Sequence, residues 1–521
     1  MISVPQMNIF CAFLLSAGIA NAHDNRLKFP PTNHFEEHLR NADPEAESQI
    51  LDVRVVKALG SKGYDKVRLS VINHSPTAPA SPDVTFTYSD AFQYRWKASF
   101  DMGVTSSSCS SSPALLTSAD SDGDCLLACS ADDACTHYVY DSAGADMKCS
   151  TYSDCDYAAS SSTSSTYQKY GTNYLHSAIV TATPGTATPF TIDNTTVSVL
   201  LPLEDGPSSG IVWSDPCISG RWVGCSMSSF AFNHSVDMLN VLSTDPTWHY
   251  FQILGDNFYD QDGRLTKHFF NSLSLSSRSK ILMTVPGNHD LWVCGGPDCG
   301  DKFDQYGHGL MQWYAQDTVA SSYAENAFLD FTVDPDAKDE GWDTFEEKNK
   351  AENFVWYNKM GSVGFVGFNG AGLPNDEEKY FEEACAYMKG NVDYIFALGH
   401  WNDGGSSVSP QLSTPDLRTK LAGIDGCDIG DNIKYMDGHT HCNELQTAGE
   451  KEEVGFMIGG HGMSGCTQFG FAYVKSAGKG EKVEVYYFEE WDGSTDKYED
   501  IKACIEQNGV DGCLQFATKW L

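Results

Sequence analysis

The chain has 521 residues, of which 70 are acidic and 34 are basic, and its formal net charge at pH 7 is −36. This length exceeds what one hydrophobic core usually supports, so we expect two or three domains. The strong negative charge argues against nucleic acid and against an anionic membrane as partners. No stretch after residue 22 approaches the roughly 20 apolar residues that a membrane helix needs, so no membrane span is predicted.

The first 22 residues have the pattern of a secretory signal peptide. An apolar run over residues 9–20 is followed by Ala20-Asn21-Ala22, a small-residue pattern that suits signal peptidase. We expect cleavage before His23, with an uncleaved membrane anchor as the alternative. The predicted location is secreted or extracellular, and a cell-wall, surface or vacuolar setting is compatible with it.

Cysteine usage agrees with export. One of the 17 cysteines lies in the predicted signal, and the remaining 16 form an even number that suits pairing in an oxidising compartment. Candidate pairs are Cys217 with Cys225, Cys294 with Cys299, Cys442 with Cys466, and Cys504 with Cys513. The rival hypotheses make Cys217 a ligand or nucleophile and Cys442 a metal ligand. Asn73, Asn194 and Asn233 each open an Asn-x-Ser/Thr sequon and are candidate glycosylation sites.

The first part of the mature chain is predicted to be β-rich. Residues 23–99 and 172–204 contain short runs that alternate apolar and polar residues, which predicts an N-terminal domain resembling a β-sandwich. A cysteine-rich insert, residues 100–157, interrupts this domain with six cysteines and few large apolar residues. Disulfides are expected to stabilise it, because the rival zinc site lacks a histidine at ligand spacing. A Ser/Thr-rich linker is predicted for residues 158–171.

The run DCLLACSADDACTHYVYDSAGADMKC inside the insert resembles the helix-then-strand stretch of apple/PAN modules. Those modules bind carbohydrate or protein. The resemblance therefore implies a glycan or protein ligand for the insert.

From about residue 205 the pattern changes to apolar strands that alternate with amphipathic helices, which is typical of α/β architecture. Continuous apolar strands such as the one in VDYIFALGH indicate sheets that are covered on both faces. We predict an α/β domain over residues 205–498 and a C-terminal tail over residues 499–521, closed by a disulfide.

Polar residues follow five of these strands at their carboxyl ends, where α/β proteins place their sites. They are Asp215, Asp256, Asn288, His400, His439 and His441, with Tyr259 close behind Asp256. Each one alone fits an ordinary turn or core position. The ordered set GDNFY, GNHD, GH and GHTH, with glycines that permit close backbone approach, predicts that the side chains converge.

This ordered set resembles the calcineurin-like metallophosphoesterase superfamily over roughly residues 205–492, and GDNFY is similar to the motif of its purple and tartrate-resistant acid phosphatases. The resemblance implies a four-layer α/β/β/α sandwich and a dinuclear metal site. It places Fe³⁺ on Asp215, Asp256, Tyr259 and His441. It places a divalent partner, zinc, iron or manganese, on Asp256, Asn288, His400 and His439. The implied activity is acid phosphatase, in which a metal-bound hydroxide attacks a phosphate monoester in line.

The residue chemistry independently supports this division. A hard trivalent ion favours anionic oxygen ligands, and a mixed oxygen and imidazole set suits a divalent transition metal. A tyrosine with the usual pKa of about 10 stays neutral unless a strongly charged ion lies nearby, so Tyr259 favours iron. Metal ions would also offset the long-range repulsion between this acidic chain and a phosphate ester.

Three further residues are candidates around the predicted site. The resemblance implies that His289 orients phosphate and protonates the leaving group, with Asp290 either holding its imidazole or serving the structure. His461 is a candidate neighbour of the metal ligands. Asp205 is the rival of Asp215 for the first motif, but the 41 residues between Asp215 and Asp256 leave room for one helix and one strand.

Two alternatives to a phosphomonoesterase stay open. The first is a phosphodiesterase or nucleotide pyrophosphatase that uses the same metal core. The second is a catalytically inert carbohydrate- or protein-binding surface protein with the same fold. The insert motivates the second alternative, and the complete ligand set argues against it.

Overall fold

The structure is a computed structural model of the chain. It describes residues 52–57, 63–91, 98–100, 103–118, 122–142, 148–159, 163–217, 228–245, 247–260, 263–291, 309–310, 355–371, 374–402, 411–448, 452–459, 463, 466, 468–492 and 494–521. The predicted signal peptide, His461, Cys225, Cys294 and Cys299 lie outside these residues.

Strands dominate the described residues. They are β1 (Asp52–Lys57), β2 (Lys66–Asn73), β3 (Tyr88–Ala91), β4 (Ala98–Phe100), β5 (Val104–Thr105), β6 (Ser107–Cys109), β7 (Leu115–Ser118), β8 (His137–Asp141), β9 (Lys148–Tyr152), β10 (Tyr157–Ala159), β11 (Ser164–Thr172), β12 (Tyr174–Thr181), β13 (Thr188–Ile192), β14 (Thr195–Val199), β15 (Ser208–Trp213), β16 (Tyr250–Leu254), β17 (Ile281–Val285), β18 (Trp356–Met360), β19 (Val363–Gly367), β20 (Tyr394–Leu398), β21 (Ile433–Asp437), β22 (Glu444–Ala448), β23 (Glu452–Met457), β24 (Phe469–Ser476), β25 (Val483–Trp491) and β26 (Ala517–Lys519). The helices are α1 (Asp122–Ala131), α2 (Ser228–Leu242), α3 (Arg264–Ser272), α4 (Leu275–Arg278), α5 (Pro374–Met388), α6 (Thr414–Ala422) and α7 (Tyr498–Asn508). None of the described helices combines the length and apolar character needed to cross a membrane.

The largest sheet has ten strands in the order β26-β25-β24-β15-β16-β17-β1-β2-β12-β3. Its central neighbours β15, β16, β17 and β1 run parallel. Every residue of β15, β16 and β17 is buried, as expected for strands that are covered on both faces. A second sheet has six strands in the order β18-β19-β20-β21-β23-β22, with β19, β20, β21 and β23 parallel. The chain therefore folds as mixed α/β, as the sequence predicts.

The two sheets share one apolar core. Val212, Leu254 and Val285 of the ten-stranded sheet lie in the same buried cluster as Phe396 and Met436 of the six-stranded sheet. Burying an aliphatic or aromatic side chain of this size contributes about 1.5–3 kcal/mol, so this cluster fixes the packing of the sheets. A separate cluster joins the six-stranded sheet to α5 and α6, and α2, α3, α4 and α7 pack near the ten-stranded sheet.

The predicted separate N-terminal β-domain is corrected by the topology. β1, β2, β3 and β12 come from residues assigned to that domain, but they extend the ten-stranded sheet, with β1 parallel to β17 and Val55 opposite Ile281. Alternation of apolar and polar residues predicts a strand and does not specify its neighbour. The predicted separate tail is corrected for the same reason, because β26 pairs with β25 at the edge of this sheet.

The cysteine-rich insert folds around a sheet of its own, which we call the insert sheet: β4-β11-β8-β9-β7, with β5 also paired to β11. Its six cysteines form three disulfides, Cys109–Cys155, Cys125–Cys149 and Cys129–Cys135. The disulfide prediction is thus confirmed, and α1 precedes β8 as the helix-then-strand pattern indicates. The linker prediction is corrected, because β11 lies in that stretch and pairs with three strands of the insert sheet. A Ser/Thr-rich run also suits a strand, since threonine and tyrosine favour β-structure.

Candidate metal centre

Five parallel strands from both sheets end at one place. β15, β16 and β17 of the ten-stranded sheet lead to Asp215, Asp256 and Asn288. β20 and β21 of the six-stranded sheet lead to His400, His439 and His441. The carboxyl ends of parallel strands lie at the same edge of a sheet. Residues that follow successive strands in the sequence are therefore close together in space.

The first half of the cluster contains a carboxylate, a phenol and an imidazole. The Tyr259 hydroxyl donates to Oδ1 of Asp215 at 3.2 Å and lies 3.0 Å from Nε2 of His441. Nε2 of His441 is 3.3 Å from the same Asp215 oxygen. Ligand atoms of Asp215, Asp256 and His441 all lie within 4.8 Å of one another, which is the spacing of a metal-binding triad.

The second half of the cluster centres on His400. Its Nε2 lies 3.2 Å from Oδ1 of Asn288, 3.2 Å from Nδ1 of His439 and 3.5 Å from Oδ1 of Asp256. The same nitrogen is 3.9 Å from Oδ1 of Asp215. Asp256 therefore touches both halves, which is the position that a bridging carboxylate requires.

The charges of this cluster fit a bound cation. Burial raises the pKa of the Asp215 and Asp256 carboxyls, but the adjacent histidines outweigh it and lower both pKa values. Burial lowers the pKa of His400, and the same two carboxylates outweigh it and raise that pKa to about 10. In the metal-free protein an imidazolium thus supplies the positive charge that two buried carboxylates need. A metal ion supplies that charge without the proton.

Tyr259 is fully buried, and its pKa lies well above the usual value because of burial and of the charges of Asp215 and Asp256. An anionic phenolate at this position therefore needs a strongly charged cation. Oxygen ligands from two carboxylates and a phenol suit a hard ion, while an amide oxygen and imidazoles suit a divalent transition metal. The residues present thus fit a dinuclear centre.

Backbone strain concentrates at this cluster. Of the eight non-glycine residues with positive φ in the described part of the chain, six lie here: Asp215, Asp256, Phe258, Tyr259, His439 and His441, with φ between 50° and 70°. Such a conformation is uncommon for residues other than glycine, although Asp and His adopt it more readily than most, and it persists where the surrounding structure imposes it. Five of these six residues are candidate ligands, so the left-handed conformations coincide with the convergence of their side chains.

Two glycines make the close approach possible. A Cβ on Gly287 would overlap Oδ1 and the backbone nitrogen of Asp256, and a Cβ on Gly438 would overlap the Ser214 hydroxyl. The prediction that glycine permits convergence is therefore confirmed at these positions.

Hydrogen bonds orient the ligands. Nδ1 of His400 lies 2.8 Å from the Leu254 carbonyl and donates to it, so Nε2, which faces the cluster, is the nitrogen that would bind a metal ion after losing its proton. The backbone N–H of His439 donates to Asp215 at 3.0 Å, and that of His289 donates to Asp256 at 2.8 Å. These donors leave each carboxylate with one fixed orientation.

Asp290 accepts hydrogen bonds from the loop that carries Asp256 and from the loop that carries Asn288. One of its oxygens accepts from the Asn257 N–H at 2.8 Å, and the other accepts from the Asn257 amide at 2.8 Å and the Gly287 N–H at 2.7 Å. Burial and the nearby Asp256 raise the pKa of Asp290 to about 7. Its neighbour His289 is half-buried, with its ring 4.7 Å from that of Tyr259. These contacts support the structural alternative for Asp290.

The structure also decides between the rival residues. Asp205 is more than half exposed and lies near Lys359 and Lys479, so Asp215 is the aspartate in the cluster. Cys442 pairs with Cys466 and Cys504 pairs with Cys513, as predicted. Cys217 is also disulfide-bonded and is therefore not a free nucleophile.

Two residues at the centre escaped the sequence analysis. Ser214 hydrogen-bonds Oδ2 of Asp215, and Asn257 holds Asp290. Both are fully buried polar residues next to a ligand, but burial is invisible in the sequence. The only available signal was their adjacency to the motif aspartates.

No model of a known protein family matches the chain, and no curated protein matches it. Similar solved structures include a purple acid phosphatase from yellow lupin (Lupinus luteus) seeds, with 12% identity and a TM-score of 0.45, covering 85% of this chain and 73% of that chain. Another is PhoD, with 9% identity and a TM-score of 0.33, covering 89% of this chain and 97% of that chain. With TM-scores below 0.5, these likenesses identify neither a family nor an activity.

Proposed function

We propose that the chain is a metal-dependent hydrolase of phosphoric esters, and more narrowly an acid phosphatase of the metallophosphoesterase type with the four-layer arrangement of that fold. One observation carries the proposal. Two buried carboxylates, a buried phenol, an amide oxygen and three imidazoles converge from the ends of five strands. Nothing in an ordinary structural turn requires this combination of donors at one point.

Under this proposal Asp215, Asp256, Tyr259 and His441 hold a ferric ion. Asp256, Asn288, His400 and His439 hold the divalent partner, zinc, iron or manganese. When bound, the two metals supply Lewis acidity toward the phosphoryl oxygens and lower the pKa of a water molecule to near neutrality. The side chains named above would hold the two ions in place. The positive charge of the ions would offset, at the site, the net charge of −36 that repels a phosphate ester.

We assign contact with the ester to His289. Its backbone is fixed by the hydrogen bond to Asp256, while its ring remains partly exposed next to Tyr259. We assign its imidazole to orienting the phosphoryl group and protonating the leaving alkoxide. Asp290 acts as a positioning residue for the loops on either side.

Export belongs to the same proposal. The disulfides, including Cys385–Cys427, support folding in an oxidising compartment. We propose cleavage of the signal, glycosylation at Asn73, Asn194 and Asn233, and a glycan or protein ligand for the cysteine-rich insert. Enzymatic removal of N-glycans from the secreted protein, followed by peptide mass spectrometry, tests the three sequons one by one.

The functional test compares the wild type with Asp256→Asn and, as a matched control, Asp205→Asn. We expect two metal ions per wild-type chain and hydrolysis of nitrophenyl phosphate. Asp256→Asn should lose metal and reduce kcat/KM by more than about a hundredfold, whereas Asp205→Asn should match the wild type. A wild-type protein without metal, or an active Asp256→Asn, would refute the proposal. Faster hydrolysis of the bis-nitrophenyl ester would reassign the substrate to phosphodiesters.

A further inference from the structure

The loop that carries Tyr259 is fastened to helix α3, which follows it. The ring of Phe258 packs against that of Phe269 with centroids 4.3 Å apart. The side chain of Asp260 accepts a hydrogen bond from the Thr266 N–H at 2.9 Å. Phe269 and Thr266 both belong to α3. The position of α3 therefore determines where the Tyr259 loop lies.

The first residue of α3 joins this helix to the insert sheet. Arg264 is 3% exposed, and its Nη1 donates to the hydroxyl of Tyr138 in β8 at 2.7 Å. Its guanidinium also lies 5.1 Å from the ring centroid of Tyr167 in β11. The rings of Tyr138 and Tyr167 stack with centroids 4.5 Å apart. A buried guanidinium held in this way resists displacement, because moving it would leave charged donors without partners.

A second contact follows one turn later in the helix. Nζ of Lys267 lies 4.9 Å from the ring centroid of Tyr170 in β11. Arg264 and Lys267 are three residues apart and therefore share one face of α3. Tyr167 and Tyr170 would face opposite sides of a regular strand. The register of β11 against β4 shifts between Lys169 and Gly171, and both rings contact α3, so strand and helix match at two points.

We propose that the insert sheet is a positioning element of the metal centre. It holds α3 through Arg264 and Lys267, and α3 in turn holds the loop that carries Tyr259. This role is additional to any ligand that the insert binds, and its catalytic consequence rests on the proposed function. The insert sheet thus helps to determine the position of Tyr259 in the metal centre.

The test uses Tyr138→Phe, which removes only the hydroxyl that accepts from Arg264. Tyr157→Phe is the matched control, since it removes a phenol oxygen from an exposed position of the same insert. Hydrogen–deuterium exchange is followed in peptides covering residues 255–260 and 264–272, with residues 469–491 in β24 and β25 as an internal reference. The same proteins, loaded with iron, are compared by their tyrosinate absorption band.

In Tyr138→Phe we expect exchange in residues 255–272 to become about tenfold faster, with residues 469–491 unchanged and the absorption band shifted. Tyr157→Phe should match the wild type in each respect. Unchanged exchange near Tyr259, or equal acceleration in the reference strands, overturns the proposal. If Tyr138→Phe does not fold, Lys267→Gln serves instead, with a smaller effect in the same residues. A wild-type protein that binds no iron refutes the proposed function, while the exchange comparison still decides the role of the insert.

Discussion

The phenol oxygen of Tyr259 lies 3.0 Å from Nε2 of His441, although 182 residues separate them in the chain. Tyr259 follows β16 of the ten-stranded sheet, whereas His441 follows β21 of the six-stranded sheet. The candidate centre is therefore assembled only when the two sheets pack, and their shared apolar core fixes that packing.

Replacing Tyr259 with phenylalanine tests the ferric assignment. The substitution keeps the buried ring but removes the oxygen that a strongly charged cation would ionise. We expect the iron-loaded variant to lose the visible charge-transfer absorption of the wild type while its circular dichroism spectrum stays unchanged. Tyr250→Phe, which removes another buried phenol in β16, should keep the band. A band that persists in Tyr259→Phe would contradict the assignment.

The convergence of these side chains was largely predictable from the sequence, because each candidate ligand lies within a few residues of the carboxyl end of an apolar strand. Glycines that precede Asp256, Asn288 and His400 marked the turns. The apolar and polar pattern of a strand carries no information about which distant segment it pairs with. For this reason β1 was predicted to belong to a separate domain. It pairs instead with β17, where Val55 lies opposite Ile281, some 226 residues later in the chain.

The supporting residues were less predictable for a related reason. Asn257 and Ser214 look like ordinary polar residues in the sequence, but both are buried and form hydrogen bonds beside the candidate ligands. The contact between Arg264 and Tyr138 joins segments 126 residues apart and has no sequence signature.

Gly438→Ala tests whether the close approach of the ligand loops is necessary. The added methyl would overlap the Ser214 hydroxyl and crowd Oδ2 of Asp215, which is 2.6 Å from the Cβ position. We expect loss of metal binding in calorimetric titration and a destabilisation of about 1–3 kcal/mol. Gly423→Ala is the control, since its φ is −89° and the nearest atom is 3.4 Å away. Normal metal affinity in Gly438→Ala would show that the loops tolerate a wider site.

The Cys385–Cys427 disulfide was not predicted, and its removal tests how the six-stranded sheet is stabilised. It closes a loop of 42 residues between α5 and the segment after α6, whereas Cys504–Cys513 closes 9 residues. Loop-closure entropy predicts losses of about 4 kcal/mol and about 2.5 kcal/mol when each pair is changed to alanine. Chemical denaturation of the two double variants measures the difference. Equal losses would mean that strain or local packing outweighs loop length.

We expect Lys57 to make the stability of the protein depend on pH. Burial is the main reason that its pKa falls to about 7, and its Nζ donates to the carbonyl oxygens of Gly63 and Lys66. Between pH 7 and pH 10 the unfolded state therefore binds one more proton at this lysine than the folded state does. The free energy of unfolding should then rise with pH by about 1.4 kcal/mol per unit from this group.

Lys57→Met should remove that contribution, because a methionine carries no proton in either state. Denaturation of the wild type and the variant at pH 7.5, 8.5 and 9.5 measures the two slopes, and only the wild type should gain stability from Lys57 across this range. Lys479→Met, at a position where the lysine is about half exposed, should leave the wild-type slope in place. Parallel slopes for the wild type and Lys57→Met would mean that Lys57 keeps its proton when the chain folds.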